Sequence, residues 1–273
     1  MFRNIQSLRR KNRIIYGLII LLTVCSCVSC TEGSHSADDK IIIACGNDTA
    51  GILVKKTVAS CTQAEQADID AQQVGDCCGS NSQFALSTGD VDVAVVCPDA
   101  VQFLPEGGKD YMVVGTVVYD ANLVVRKAGT SEIPASIGYM NNRVNQIDLL
   151  RDKYGDGPEL KQMYASGLSY ALETDAVDAV VLDALTALAL GYPFEKLSEG
   201  QPSSVMVIRK DLADDERFIS FAEHYNEVVD SLRDTDELKD LLNSYLEEEH
   251  GEAGMEVLPL WQEMGVTFGK IEL

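Results

Sequence analysis

Apolar residues along this chain fall into short β-branched runs separated by helical stripes. "KIIIAC" (residues 40–45) is a continuous apolar run of the kind that forms a fully buried strand. "TAGILVKKTVAS" (49–60) places its apolar residues on one stripe and predicts a helix, with Asn47 or Asp48 as its cap. "DIDAQQV" predicts a second strand and "CCGSNS" a turn in which Ser80 or Asn81 caps the next helix. "QFALSTGD" then leads into the strand "VDVAVV". Strand, helix, strand, helix, strand implies a mostly parallel sheet wrapped by helices, an α/β fold.

The pattern then changes. "YMVVGTVVYDANLVVRK" (111–127) is a long β-rich stretch without helical period, long enough to cross from one lobe to another. After "AGTSEIPA" the first pattern restarts: a strand "SIGYM", a helix over about 142–154, a strand near "KQMYA", a helix near "GLSYALET", and the strand "VDAVVLD". A further strand, "SSVMVIRK" (203–210), is read as the end of this second lobe. Beyond Asp211 the chain is helical, and the first lobe is the available surface for those helices. The expected hinge strands lie around 122–125 and 205–208. The boundaries are lobe 1 over 40–124 and 211–273, and lobe 2 over 125–210.

Two stretches are near copies. "ALSTGDVDVAVVC" (85–97) and "ALETDAVDAVVLD" (171–183) align without a gap, and the first closes on Cys97 where the second closes on Asp183. The plain explanation is that any short buried strand after a helix reads this way. The functional one is that two equivalent α/β halves face each other. Ligands of open α/β sheets sit outside the carboxyl ends of the strands, so Cys97 and Asp183 would stand on opposite walls of one cleft. The other expected strand ends are polar as well, at Cys45-Gly46-Asn47-Asp48 and Met140-Asn141-Asn142-Arg143.

The N-terminus has the layout of an export signal. Arg3, Arg9, Arg10, Lys11 and Arg13 precede the apolar run "IIYGLIILLTV" (14–24) and then "CSCVSC". The run suits a signal and is short for a membrane-spanning helix; an uncut anchor is the other reading. It resembles a bacterial lipoprotein signal. Cys27, with Val24 three residues before it and Ser26 directly before it, fits lipidation better than Cys25 or Cys30. Residues 1–26 are then the signal and 27–39, small and polar, a tether to the membrane.

Formal net charge is -21, and the leading segment holds five basic residues and no acidic one, so the remainder is more acidic still. Nucleic acid is excluded as a partner and anionic lipid disfavoured; the acidity itself suits solubility. All eight cysteines lie within the first 97 residues, at spacings that match no zinc framework. The three histidines (His35, His224, His250) are far apart in sequence, so no metal site is expected. Neighbouring first and third strands would bring Cys45 and Cys97 side by side at the cleft floor, as two unbridged thiols first, a disulfide second and soft-metal ligands last.

"IIIACGNDTAGILVKK", "SNSQFALSTGDVDVAVVCPDA", "VVYDANLVVRK", "IGYMNNR" and "AVDAVVLDALTAL", with the signal, resemble the type II periplasmic substrate-binding proteins of ABC importers. That type II group includes the nitrate-, taurine-, alkanesulfonate- and hydroxymethylpyrimidine-binding proteins. The resemblance implies a two-lobed fold, each lobe a mostly parallel sheet flanked by helices, with the ligand cleft between the lobes. It implies an extracytoplasmic lipoprotein that carries a small molecule to an ABC permease, with no cofactor and no catalytic residue. It nominates Cys45, Gly46, Asn47, Asp48, Ser80, Asn81, Ser82, Cys97 and Asp99 in the first lobe, and Tyr139, Asn141, Asn142, Arg143 and Asp183 in the second. Each also has a plainer role: Asn47 and Ser80 as caps, Asp99 as a first-turn acid, Tyr139 as core, and Arg143 as a solvated or salt-bridged cation. Acids outnumber cations among the nominees, so a neutral or cationic nitrogen-bearing ligand is expected ahead of a sulfonate or nitrate. Two other functions compete: an enzyme of the thiamine- or menaquinone-pathway type on the same fold, against which the export signal stands, and a surface sensor lipoprotein.

Overall fold

The computed structural model describes residues 40–74, 86–102, 104, 110–250 and 256–272. The signal, the tether and the lipidation site at Cys27 lie outside them, as do Cys77, Cys78, Ser80, Asn81 and Ser82. Residues 40–273 form one compact unit. Among the described residues no helix is long and apolar enough to cross a membrane.

The first half runs β1 (Ile41–Cys45), α1 (Thr49–Ser60), α2 (Gln63–Ala67), β2 (Ile69–Gln73), β3 (Val93–Val96) and α3 (Pro98–Val101). β4 (Tyr111–Tyr119) and β5 (Asn122–Arg126) follow, then β6 (Ser136–Met140), α4 (Val144–Tyr154), β7 (Glu159–Met163), α5 (Ala165–Glu173), β8 (Ala179–Asp183), α6 (Ala184–Leu190) and β9 (Phe194–Lys196). β10 (Pro202–Arg209), α7 (Glu216–Ser231), α8 (Thr235–His250), α9 (Val257–Met264) and β11 (Thr267–Phe268) complete the chain.

There are two sheets, ordered β11-β4-β10-β3-β1-β2 and β7-β6-β8-β5-β9. In each, three parallel strands in the order second-first-third meet an antiparallel strand beside the third. That strand is β10 in the first sheet and β5 in the second, so each lies next to a crossing between the sheets. β10, expected to end the second lobe, pairs instead with β3 and β4. Asn122–Val124, expected in the first lobe, pair with β8. The interiors of β5 and β10 are hydrogen-bonded on both sides, which makes them poor hinges.

The chain actually passes between sheets at Asp120–Ala121 and around residues 197–201, where the two crossings are tied together. Asp120 adopts φ 59°, and its carboxylate accepts from the Gly200 N–H (2.7 Å), the Gln201 N–H (3.0 Å) and the Ser198 hydroxyl (3.2 Å). Ser203 Oγ accepts from the Ala121 N–H (2.8 Å) and the Asn122 amide (3.1 Å).

The near copies are one structural device used twice. Gly89 and Asp175, aligned in the repeat, both adopt the left-handed turn, at φ 70° and 58°. The aligned acids anchor the neighbouring strand: Asp92 accepts from the Ile42 N–H (3.0 Å) and Asp178 from the Ser136 N–H (2.8 Å). The repeated Val-Asp phrase therefore joins third strand to first.

The apolar stripe of α7 (Phe218, Phe221, Ala222, Tyr225, Val228, Val229) is buried in the core that holds Ile52, Leu53 and Val54 of α1. Each such large side chain contributes roughly 1.5–3 kcal/mol by leaving water. The C-terminal helices meet the first lobe as expected through α1, but α9 also packs on α6 of the second.

Candidate functional site

β1 delivers Gly46-Asn47-Asp48 to the start of α1. Asp48 is extended and its Oδ1 accepts from the Gly51 N–H (2.9 Å), so it, and not Asn47, is the cap. Asn47 Oδ1 instead accepts from Lys55 Nζ (3.1 Å). Gly51 is required here, because a Cβ would lie 1.8 Å from the Gly46 carbonyl oxygen. The same strand-to-helix step on the other lobe ends β8 at Asp183, whose side chain caps α6 through the Leu185 N–H (3.1 Å). Cys97 has nearly the same backbone, φ -69° and ψ 154° against -65° and 147° for Asp183, but makes no side-chain cap.

The two lobes hold each other by carboxylates exchanged across the cleft. Asp183 Oδ1 accepts from the N–H (3.0 Å) and hydroxyl (2.7 Å) of Thr49, at the start of α1. In return Asp99, on the first lobe, accepts from the Asn145 N–H (2.9 Å) at the start of α4 and from Arg143 Nε (3.1 Å). Each acid thus occupies the anion-favouring N-terminus of the opposite lobe's helix. The Arg143–Asp99 pair is buried. Burial, and next the charge of Asp48, push the Asp183 carboxyl up from 3.8 to about 7, against the lowering effect of the Thr49 and Leu185 hydrogen bonds.

Between these two ties lies a cavity of about 480 Å³, the size that holds a small molecule. Of the nominated residues, Gly46, Asn47, Asp48, Arg143 and Asp183 line it. Its wall also includes Asn122, expected only as part of a hinge strand, and Gln146, Ser166, Ser169, Thr186 and Ser203, none of them nominated for the site. Asn122 is central: its Oδ1 accepts from Gln146 Nε2 (3.0 Å), its amide donates to Ser203, and Gln146 Oε1 accepts from the Met140 N–H (3.1 Å). The Ser166 and Ser169 spacing on one helix face was the available signal, but it is common on exposed helices.

Other nominees lie elsewhere. Tyr139 is packed with Ile137 and Leu150 in the second lobe's core, because strand alternation turns it to the face opposite Met140, which does line the cavity. Asn141 accepts from Gln162, and Asn142 is an exposed turn residue at φ 60°. Cys45 and Cys97 are buried thiols outside the cavity wall and belong to different apolar clusters, so they do not emerge side by side at the cleft floor. Burial, and next Asp48, push the Cys45 thiol up to about 11.

No family model and no curated protein matches this chain in sequence. Solved structures match its fold. A ligand-binding component of an ABC-type import system from Staphylococcus aureus, with zinc bound, superposes with a TM-score of 0.62 at 15% identity over 85% of this chain and 86% of that one. The alkanesulfonate-binding protein SsuA from Xanthomonas axonopodis pv. citri, bound to MOPS, gives 0.58 at 14% identity over 84% and 86%. A putative methionine-binding lipoprotein from Bacillus subtilis gives 0.55 at 12% identity over 86% and 100%. The chain has the two-lobed α/β fold of ABC-import substrate-binding proteins.

Proposed function

We propose that this chain is an extracytoplasmic solute-binding lipoprotein that delivers a small neutral or cationic nitrogen-bearing molecule to an ABC import permease. The observation that carries this reading is a cavity between two lobes joined at their crossings and tied across the cleft by Asp183 on Thr49 and Asp99 on Arg143 and Asn145. A ligand that competes for these contacts from inside sets the balance between open and closed lobes, and the permease reads that balance.

The ligand class follows from charge. Among the described lining residues Asp48 and Asp183 are acidic and Arg143 is basic, and Arg143 is engaged by Asp99. The Thr49 and Asn145 N–H groups, which could have held an anion, already donate to carboxylates. A sulfonate or nitrate would therefore meet uncompensated negative charge, at a cost on the order of several kcal/mol. An amine or an amino-bearing heterocycle would instead donate to Asp183. Calorimetry against amines, pyrimidines, sulfonates and nitrate should find binding among the nitrogen bases, with the ligand recovered unchanged. Tight binding of a sulfonate or nitrate would overturn the ligand class, and chemical conversion would favour an enzyme on this fold.

In this reading residues 1–26 are removed as a signal and Cys27 carries the lipid. Cys27→Ser should release the protein from the membrane fraction or leave its signal uncut. Normal processing and retention of that variant would move the anchor to Cys25 or Cys30.

A further inference from the structure

We propose that Cys61, Glu65 and His224 form a binding site for a zinc-class divalent cation, separate from the cleft. The three residues come from the C-terminal cap of α1, from α2 and from α7, and none lines the cleft cavity. The Cys61 sulfur, a Glu65 carboxylate oxygen and a His224 ring nitrogen all lie within 4.8 Å of one another. Tetrahedral zinc, with bonds of about 2.0–2.3 Å, needs its ligand atoms roughly 3.3–3.6 Å apart. His224 Nε2 and Glu65 Oε1, at 3.2 Å, stand just inside that spacing, and side-chain adjustments of about 1 Å bring the three donors to it.

The surroundings orient these donors. Glu65 Oε2 is held by the N–H (2.8 Å) and hydroxyl (2.7 Å) of Thr62 in a capping box, which leaves Oε1 aimed at His224 and at the Ser220 hydroxyl (2.8 Å). The other ring nitrogen of His224, Nδ1, lies 3.6 Å from Glu227 Oε2, beyond hydrogen-bond range but near enough to favour a positive charge at the site. Cys61 is buried whereas Glu65 and His224 are half-exposed, so an ion can enter from solvent and keep a water as fourth ligand.

One thiolate, one imidazole and one carboxylate suit zinc or cobalt and do not suit magnesium or calcium, which demand oxygen ligands. On binding, the Cys61 thiol gives its proton to solvent and its sulfur bonds the ion. The ion would tie the α1–α2 corner to α7. His224 lies 159 positions from Glu65 and further still from Cys61, and the three carry no motif.

Cobalt(II) is the probe, added to the reduced full-length protein in detergent. Wild type should develop a sulfur-to-cobalt charge-transfer band and intense tetrahedral d–d absorption that zinc displaces, and zinc should raise its melting temperature. Cys61→Ser should lose the charge-transfer band, and His224→Gln, a half-exposed change, should weaken binding at least about tenfold with the circular dichroism spectrum unchanged. A Cys77→Ser/Cys78→Ser double variant should keep both signals. The proposal is overturned if the band survives Cys61→Ser, if it vanishes only with Cys77 and Cys78, or if wild type binds no cobalt or zinc.

Discussion

Replacing Arg209 by Met should lower folding stability by about 3–5 kcal/mol. Arg209 and Asp92 are each 2% exposed, and the guanidinium NH1 lies 2.6 Å from Asp92 Oδ1. The other Asp92 oxygen holds the Ile42 N–H and so joins β3 to β1. Without Arg209 the Asp92 carboxylate stays buried with its close countercharge gone. The change is large because a charge is stranded, not because the intact pair is itself strongly stabilising. Two comparisons separate these contributions in urea unfolding. Asp92→Asn combined with Arg209→Met should recover much of the loss. Lys127→Met, which breaks an ion pair whose Asp175 side chain is 79% exposed, should cost less than about 1 kcal/mol. An Arg209→Met loss as small as that of Lys127→Met would contradict the argument.

The second large effect concerns the cleft. Asp183→Ala removes the acceptor of both Thr49 bonds and should shift the lobes toward the open state by roughly 1–3 kcal/mol, two bonds of about 0.5–1.5 kcal/mol each. Small-angle scattering should show the variant as the more extended, and an unchanged profile would count against a cross-lobe tie. The pH dependence has a definite sign. Asp183 holds its proton up to about 7 in the closed arrangement, against an ordinary 3.8. The protonated form is thus favoured by closure and by folding, and this contribution is lost as pH rises from about 4 through 7. A cationic ligand reverses the trend because it needs the carboxylate, so its affinity should rise between pH 5.5 and 8. Asp183→Asn should flatten that dependence; a dependence that persists in the variant would assign it to another group.

What the sequence determined by itself is local. The β-branched run 41–45, a helix cap at Asn47 or Asp48, the near copies 85–97 and 171–183, and the polar strand ends at Asp48 and Asp183 are all legible because caps, turns and side-chain periodicity act over a few residues. The two-lobed α/β class follows from their order. Three things were decided only by tertiary structure, because each depends on pairing between distant segments. β10 reads as any buried strand, and its membership of the first sheet comes from hydrogen bonds to β3 and β4. Tyr139 is polar enough for a pocket wall, but the pleat of β6 turns it into the core. Asn122 and Ser203 are 81 residues apart, and Asp183 and Thr49 are 134 apart; no local pattern records that such pairs meet. Local free energies specify the elements, and the packing of one lobe against the other specifies which of their polar ends become the site.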